Sequence, residues 1–202
     1  NQKKYNYALQ PSTREDFIKT LINGLTTPPP YFFKDALINR NGYDPLEKVI
    51  ARSMNPLTAI QMDSEIGKGA FILDTRIPQE FEKGFIPGSV NIGLNGSFAI
   101  WVGTLIEDVN HPIVLVTESG KESEAIIRLA RVGYENVKGF LAGGIISWEK
   151  AGKKTDSVHS ISPLELKKLI GNANINILDV RRESEYENGY LKGALNIPLT
   201  DL

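Results

Sequence analysis

Two segments of the chain, 105 residues apart, have nearly the same sequence. Residues 72–94 read ILDTRIPQEFEKGFIPGSVNIGL and residues 177–199 read ILDVRRESEYENGYLKGALNIPL, with eleven of 23 positions identical and no gap. A period of this length is too long for a solenoid repeat and equals the size of one small domain. The 202 residues therefore begin the same domain twice, and we expect the second copy to be incomplete at Leu202.

The composition excludes several kinds of site. The chain has no cysteine, which removes disulfides, thiolate metal ligands and thiol nucleophiles together. Its two histidines, His111 and His159, lie far apart in the sequence. A zinc or iron site made of imidazoles needs two or three of them, so we expect no metal site in this chain and two exposed loop histidines.

The charge and the hydropathy pattern argue against two classes of partner. A net charge of −1 gives no electrostatic reason to expect nucleic acid or an anionic membrane. No apolar run approaches the roughly 18–20 residues that span a bilayer, and the first residues, NQKKYNY, do not form a signal peptide. We therefore expect a cytoplasmic protein with no membrane partner, and the start at Asn1 suggests that further residues precede it.

Residues 1–50 predict two helices. Ser12 and Glu15 form an S-x-x-E capping box before apolar residues at helical spacing, namely Phe17, Ile18, Leu21 and Ile22. Gly24 is expected to end this helix, and a second one is expected at Tyr31–Asn39 after the rigid TTPPP segment. Two helices rarely form a core alone, so their apolar faces require a neighbouring domain outside this sequence.

Residues 55–154 alternate between strand and helix patterns. Strands are expected at 70–74, 90–92, 113–116 and 137–141. Helices are expected at 57–66, 78–83 and 97–105, after residue 121 with Ile126, Leu129 and Ala130 facing inward, and around Trp148. This order predicts an α/β sandwich with a mostly parallel sheet, followed by a polar linker at 152–160.

The loop after the aliphatic strand 113–116 is the natural reactive position. In open parallel sheets, ligands bind beyond the carboxyl ends of the strands. Backbone N–H groups of such a loop, together with the start of the next helix, can bind an anion.

The motifs LDTR, EFEKGFIPGSVNI, IVLV and GYENVKGFLAGGIISW, in this order, resemble a rhodanese domain. This resemblance covers about 100 residues and implies a three-layer sandwich. Family members place a cysteine first in the loop, in a pattern close to C-x-x-G-x-R, where the thiolate carries a persulfide sulfur. Here the cysteine position is Thr117, the glycine is Gly120, and the arginine position is Glu122. The degenerate active-site loop comprises Thr117, Glu118, Ser119, Gly120, Lys121 and Glu122.

The changed loop residues argue against sulfur transfer. A threonine hydroxyl is neither ionised nor soft at neutral pH, and His111 is expected some 16 Å away at the other end of the strand. Glu118 and Glu122 would repel an anionic donor by up to about 4 kcal/mol at a few ångströms. We therefore predict no catalytic residue here. The acidic residues either favour the helix start or line a binding loop for a new ligand.

Two further features have simple structural interpretations. Gly143-Gly144 lacks the Lys-Ser/Thr of a phosphate loop and is expected to form a tight turn. Asp74 with Arg76, repeated as Asp179 with Arg181, could be catalytic, but the presence of both pairs at strand ends favours ion pairs or turn caps.

The flanking sequences resemble metallo-β-lactamase–rhodanese fusions of the persulfide dioxygenase type. YNYALQ and PPPYFFKDALINRNGYDPL resemble the end of the metallo-β-lactamase-fold domain, and SFAIWVGTL resembles the first rhodanese of such fusions. The resemblance implies a helical tail at 1–50, a degenerate rhodanese-like domain at 55–154, and part of a second one at 161–202. Iron or zinc would belong to the absent N-terminal domain. The partners would be that domain and the second rhodanese, and a homo-oligomer is left open.

Three functions remain open at this point. The first is a non-catalytic docking module of a sulfide- or persulfide-handling enzyme. The second is an anion- or ligand-sensing domain, and the third is residual hydrolase or phosphatase-like activity through Thr117. The 42 residues of 161–202 would leave an apolar face uncovered, so we expect this part to be loosely ordered.

Overall fold

A parallel sheet forms the centre of the first unit, which we define as residues 44–160. The computed structural model describes residues 6, 10, 13–22, 40, 44–171 and 174–202. The strands are β1 (Pro56–Leu57), β2 (Phe71–Asp74), β3 (Val90–Asn91), β4 (Ile113–Val116) and β5 (Val137–Leu141). They lie in the order β1-β5-β4-β2-β3, and every neighbouring pair is parallel. The predicted α/β class with a mostly parallel sheet is confirmed.

Helices precede the sheet and alternate with its strands, and those of the first unit cover both faces of the sheet. In chain order they are α1 (Arg14–Ile22), α2 (Leu46–Ser53), α3 (Ala59–Gly67), α4 (Pro78–Phe81), α5 (Phe98–Leu105), α6 (Glu122–Ala130) and α7 (Gly144–Lys150). Of these, α1 precedes the first unit and has no buried residue. Its first turn is capped by the Thr13 hydroxyl, which accepts from the Asp16 N–H at 3.1 Å. The predicted cap at Ser12, the predicted end at Gly24 and the predicted helix at 31–39 lie outside the described residues.

The alternation of side chains along each strand produces two cores. Leu73, Ile113 and Leu115 face one core, where α5 and α6 contribute Val102, Ile126 and Leu129. Ile72, Val114 and Val116 face the other core, where α3 and α7 contribute Met62 and Trp148. Because β4 is buried on both faces, its four residues are all aliphatic. Ile126 and Leu129 face inward as predicted, whereas Ala125 rather than Ala130 is buried with them.

Helix α2 is packed into the first unit. It contacts α6 and β5, and both Val49 and Ser53 are buried. Arg52 ties the same helix to the unit by ion pairs with Asp44 at 2.6 Å and Glu135 at 2.7 Å. The boundary expected at residue 50 falls inside this helix.

The linker after α7 is anchored on the first unit. Phe85 and Asp156 exchange two backbone hydrogen bonds of 2.9 Å in an isolated antiparallel bridge. The Val158 N–H donates to the Glu82 carbonyl at 3.1 Å, and the Ser160 hydroxyl donates to the Glu82 carboxylate. The polar linker predicted at 152–160 therefore follows a defined path along the first unit.

A buried ion pair joins the end of β2 to the segment that follows it. The Arg76 guanidinium bonds both oxygens of Asp74, the shortest contact being 2.6 Å, and neither side chain is more than 7% exposed. Arg76 also donates to the carbonyls of Glu80 and Gly84. The Asn91 amide donates to the carbonyls of Asp74 and Arg76 at 3.0 and 2.9 Å. The predicted ion pair is confirmed.

The second unit, residues 161–202, reproduces this arrangement. It contains α8 (Pro163–Leu169), β6 (Leu178–Asp179), α9 (Glu183–Glu187), β7 (Leu195–Asn196) and a 3₁₀ turn at Leu199–Asp201. The parallel register of β6 and β7 equals that of β2 and β3 shifted by 105 residues. Arg181 bonds both oxygens of Asp179 and also the Gly189 carbonyl. The hydrogen bond from the Arg181 side chain holds the pKa of Asp179 below its ordinary value.

The second unit differs from the first in burial. Its described helices contain no buried residue, and Arg181 is 45% exposed where its equivalent Arg76 is 7% exposed. Several apolar side chains are open to solvent, among them Leu178, Val180, Tyr190, Leu191 and Leu195. The uncovered apolar face expected from the sequence is present in the described residues.

We predict that Arg76→Met lowers the free energy of unfolding of the first unit by about 3–5 kcal/mol, because it leaves the Asp74 carboxylate buried without its partner. Denaturant unfolding followed by the fluorescence of buried Trp148 measures this change. The matched control is Arg52→Met in the same unit. The ion pairs of Arg52 are solvent-exposed, so we expect this variant to lower the free energy of unfolding by less than about 1 kcal/mol. Equal losses in the two variants would contradict the prediction.

Candidate functional site

The loop 117–121 lies at the carboxyl edge of the sheet, between β4 and α6. Thr117 follows β4 directly and is only 6% exposed. Next to it, the Thr75 N–H donates to the Val116 carbonyl at 2.8 Å. A Cβ on Gly144, the first residue of α7, would lie 3.9 Å from the Thr117 carbonyl oxygen. The predicted loop position is therefore surrounded by the ends of β2, β4 and β5.

The Gly143-Gly144 turn forms one wall of this position. Both residues have positive φ values, 75° and 60°, which side chains other than glycine rarely adopt. The turn reverses the chain between β5 and α7, so the predicted tight turn is confirmed.

No base activates the Thr117 hydroxyl within the part of the chain that the structure describes. No Asp, Glu or His side chain in this part of the chain accepts a hydrogen bond from the Thr117 hydroxyl. The His111 ring lies at the other end of β4, where Nε2 is 3.0 Å from the Gly69 carbonyl oxygen. His159 lies in the exposed linker. A threonine without a neighbouring base is a poor nucleophile at neutral pH.

Two glutamate side chains occupy backbone donors around the loop. The Ile77 N–H, at the end of the β2 segment, donates to Oε1 of Glu118 at 3.3 Å. The Gly120 N–H donates to Oε1 of Glu122 at 3.2 Å. Carboxylates are favourable at such donors and at the start of a helix. These two N–H groups are thus bonded to carboxylates of the chain itself.

A charged row continues from the loop along α6. Lys121 Nζ bonds Glu124 at 2.8 Å, and Arg128 pairs with the other oxygen of Glu124 at 2.8 Å. The hydrogen bond from Lys121, followed by that from Arg128, holds the pKa of Glu124 below its ordinary value. The same contact with Glu124 raises the pKa of Lys121. Arg128 also donates to the Leu94 carbonyl at 2.7 Å, so the row fixes α6 against the segment that follows β3.

The cavity beside the loop is small. Its volume is about 60 Å³, and its lining consists of Thr75, Ile77, Leu94, Asn95, Glu118, Lys121 and Glu124. A water molecule takes up about 30 Å³, whereas pockets for small organic ligands occupy about 300–1,000 Å³. The cavity has room for about two water molecules and not for an organic substrate.

The repeat places a larger groove at the equivalent edge of the second unit. Val180, Arg182, Leu199 and Thr200 are the 105-residue equivalents of Thr75, Ile77, Leu94 and Asn95. These four residues form one wall of a groove of about 520 Å³. The other wall is α5 of the first unit, with Ile100, Trp101 and Thr104. This groove was not predicted from the sequence, although the repeat offset identifies the residues of its second-unit wall.

The described residues contain no group of three or more His, Cys, Asp or Glu side chains that could hold a metal ion. The residues present in this part of the chain therefore do not fit an iron or zinc site. Among the described residues, no helix is long and apolar enough to cross a membrane.

We predict that Lys121→Met raises the pKa of Glu124 towards its ordinary value of 4.5, because it removes the largest cause of the lowering. An NMR titration of the Glu124 side chain measures this pKa directly. A carboxylate with a lowered folded-state pKa contributes stability above its unfolded value and loses it as the pH falls through the folded value. The stability difference between wild type and variant should therefore shrink below pH 4.5. An unchanged Glu124 titration would contradict the assigned contact.

Comparison with protein families identifies one match. The family model described as Rhodanese-like domain matches residues 58–151 and 162–202, which together form more than half of the chain. Comparison with curated protein sequences finds no significant match.

Comparison with solved structures finds similar chains, of which the first named here shares the fold. A metallo-β-lactamase from Staphylococcus aureus subsp. aureus COL matches with a TM-score of 0.55 and 24% identity, over 70% of this chain and 38% of that one. A rhodanese-like domain from Anabaena sp. matches with a TM-score of 0.45 and 21% identity, over 64% of this chain and 96% of that one. A rhodanese-related protein from Thermoplasma volcanium matches with a TM-score of 0.41 and 24% identity, over 50% of this chain and 97% of that one. With its family match to both copies of the repeat and its three-layer α/β sandwich, this chain belongs to the rhodanese-like domain family.

Proposed function

We propose that residues 55–154 form a non-catalytic rhodanese-like module that positions neighbouring domains. The observation that supports this proposal best is the state of the loop. A buried threonine takes the place of the sulfur-carrying residue, and the carboxylates of Glu118 and Glu122 bond the surrounding N–H groups.

Sulfur transfer has chemical requirements that this loop does not meet. The acceptor must be a thiolate, which attacks the outer sulfur of the donor while the rest of the donor leaves as an anion. The Thr117 hydroxyl stays protonated at neutral pH, and no described base removes its proton. A thiosulfate-like donor would also approach two carboxylates, and like charges a few ångströms apart repel. The loop thus lacks a nucleophile and opposes an anionic substrate.

The proposed parent is a metal-dependent fusion that handles sulfide or persulfide in the cytoplasm. Its domains would be the helical end of a metallo-β-lactamase-like domain at 1–50, the module at 55–154, and part of a second rhodanese-like domain at 161–202. The resemblance of residues 1–50 supports the fusion, and the fold shared with the Staphylococcus aureus chain is consistent with it. Iron or zinc would bind in the metallo-β-lactamase-like domain. The module would contact that domain and the second rhodanese-like domain. A homo-oligomer is left open.

One alternative has a specific observation in its favour. The N–H groups of Ile77 and Gly120 bond the carboxylates of Glu118 and Glu122. These N–H groups could bind an anion if the two glutamate side chains moved away. The module would then sense a small anion. A hydrolase or phosphatase-like activity through Thr117 is the remaining alternative, and it would require a base supplied by another domain.

We predict no thiosulfate:cyanide sulfurtransferase turnover by this chain, and none by Thr117→Cys alone. Because the chain contains no cysteine, the introduced thiol is the only one present, and its alkylation by iodoacetate can be followed by mass spectrometry. Removing the carboxylates in Thr117→Cys/Glu118→Gln/Glu122→Arg should accelerate alkylation at least about tenfold, since the like-charge repulsion of a negative reagent is removed.

The matched control places the thiol at the opposite end of the sheet. Asn110→Cys should react at the same rate with and without the two glutamate substitutions, because Asn110 precedes β4. Turnover by the wild-type chain above a heat-denatured sample would refute the non-catalytic proposal.

Calorimetric titration distinguishes the docking proposal from the sensing alternative. We predict no saturable heat when thiosulfate, sulfate or phosphate is added to the wild-type chain, since its own carboxylates occupy the loop donors. Glu122→Gln removes one of these charges, whereas Glu107→Gln removes a charge from an exposed residue outside the loop. Saturable binding to wild type that Glu122→Gln strengthens and Glu107→Gln does not change would favour the sensing alternative.

A further inference from the structure

The chain between α7 and α8 is bonded to the rest of the first unit along most of its length. We call this segment, residues 153–160, the strap. At its start, the buried Trp148 of α7 donates from Nε1 to the Lys154 carbonyl at 2.9 Å. The Lys153 ammonium pairs with Asp63 of α3 at 2.5 Å. The strap therefore leaves α7 attached to two helices that cover the same face of the sheet.

The second half of the strap is bonded to the segment around α4. Phe85 and Asp156 exchange two backbone hydrogen bonds of 2.9 Å. The Val158 N–H donates to the Glu82 carbonyl at 3.1 Å, and the Ser160 hydroxyl donates to the carboxylate of the same glutamate. The bonds alternate along the strap, at residues 156, 158 and 160, so this half lies along the α4 segment as an extended chain.

The residues that receive the strap are fixed by the buried ion pair of the first unit. Arg76 donates to the Gly84 carbonyl at 2.8 Å, and Phe85 follows Gly84 directly. The Phe85 ring also stacks on Phe81, with ring centroids 4.3 Å apart. The strap is therefore attached to a segment whose own path is already determined by contacts within the first unit.

One residue separates the strap from the ordered start of the second unit. The Ser162 hydroxyl accepts from the Glu165 N–H at 3.2 Å, and the Glu165 carboxylate accepts from the Ser162 N–H at 2.7 Å, which caps α8. Pro163 restricts Ser162 to the extended conformation that it has here. Between the bond at Ser160 and the cap at Ser162 stands Ile161 alone.

The second unit lies beside α5 of the first unit at a separate place. Ile100 and Trp101 of α5 line one wall of the groove of about 520 Å³, and Val180 and Leu199 of the second unit line the other. A rotation of the second unit about residue 161 would change the separation of these two walls. The strap and the groove together therefore define one orientation of the second unit.

We propose that the strap holds the second unit in this orientation, so that the two units move as one body. The proposal rests on the positioning role proposed above and names the segment that performs it. A flexible linker of the same eight residues would let its far end move over roughly 15 Å. The bonds to α3, α4 and α7 remove this freedom, although the polar composition of the strap is typical of a flexible linker.

Distance measurements between two spin labels test the strap. The chain has no cysteine, so Asn110→Cys in the first unit and Lys168→Cys on α8 introduce the only two thiols, both at exposed positions. Electron–electron double resonance on the labelled 202-residue chain should give one narrow distance distribution. Adding Asp156→Pro and Val158→Pro removes two N–H donors of the strap, and the distribution should widen at least about twofold.

The matched control carries Asp156→Ala and Val158→Ala, which keep both N–H groups and should retain the narrow distribution. Both positions are exposed, so neither pair of substitutions opens a core. Unchanged amide protection at Val114 and Leu115 of β4 shows that the first unit stays folded. A wide distribution without any strap substitution, or equal widths in the proline and alanine variants, overturns the proposal. Sulfurtransferase turnover by the wild-type chain would refute the non-catalytic proposal and leave these distances unchanged.

Discussion

The ion pair between Asp74 and Arg76 is the contact on which the rest of the first unit depends. A carboxylate with no exposure to water is stable only when its charge and its lone pairs are satisfied, and Arg76 supplies three of those bonds. The remaining donors of Arg76 bond the carbonyls of Glu80 and Gly84, so one side chain fixes the path from β2 through α4. Asn91 bonds the same turn from β3. The carboxyl edge of the sheet thereby acquires a fixed shape.

The second unit indicates how local this network is. Asp179, Arg181, Gly189 and Asn196 form the same hydrogen bonds without strands equivalent to β4 and β5 in the described residues. The paired aromatic rings also recur, since Phe81 stacks on Phe85 and Tyr186 stacks on Tyr190. The contacts within each 23-residue repeat therefore determine its turn, and the remainder of the sheet adds burial. The loop 117–121 forms no part of this network.

Prediction from the sequence succeeded where a signal is local. The strand at 113–116 was predicted to the residue, because an aliphatic run bounded by polar residues is a strong signal. The strand at 137–141, with the sequence VKGFL, was predicted with the same bounds. Strand β1 was missed, and a helix was predicted to begin at Leu57. That strand has only two residues and exists because Gly139 leaves room for it, since a Cβ there would lie 2.3 Å from the Asn55 carbonyl oxygen. In the loop, the sequence located Thr117 and its glutamates. The contact of Glu118 with Ile77 spans 41 residues and could only be seen in the fold.

The framework of the first unit is separate from its loop. The framework consists of the ion pair and two aliphatic cores, and none of the six loop residues belongs to either core. Thr117 fills a buried position much as the smaller thiol would, so the exchange creates neither a cavity nor a buried charge. Glu122 provides an acidic residue in the first turn of α6, where a negative charge is favourable. A threonine at position 117 is therefore compatible with the fold, and the proposed docking function requires only the framework.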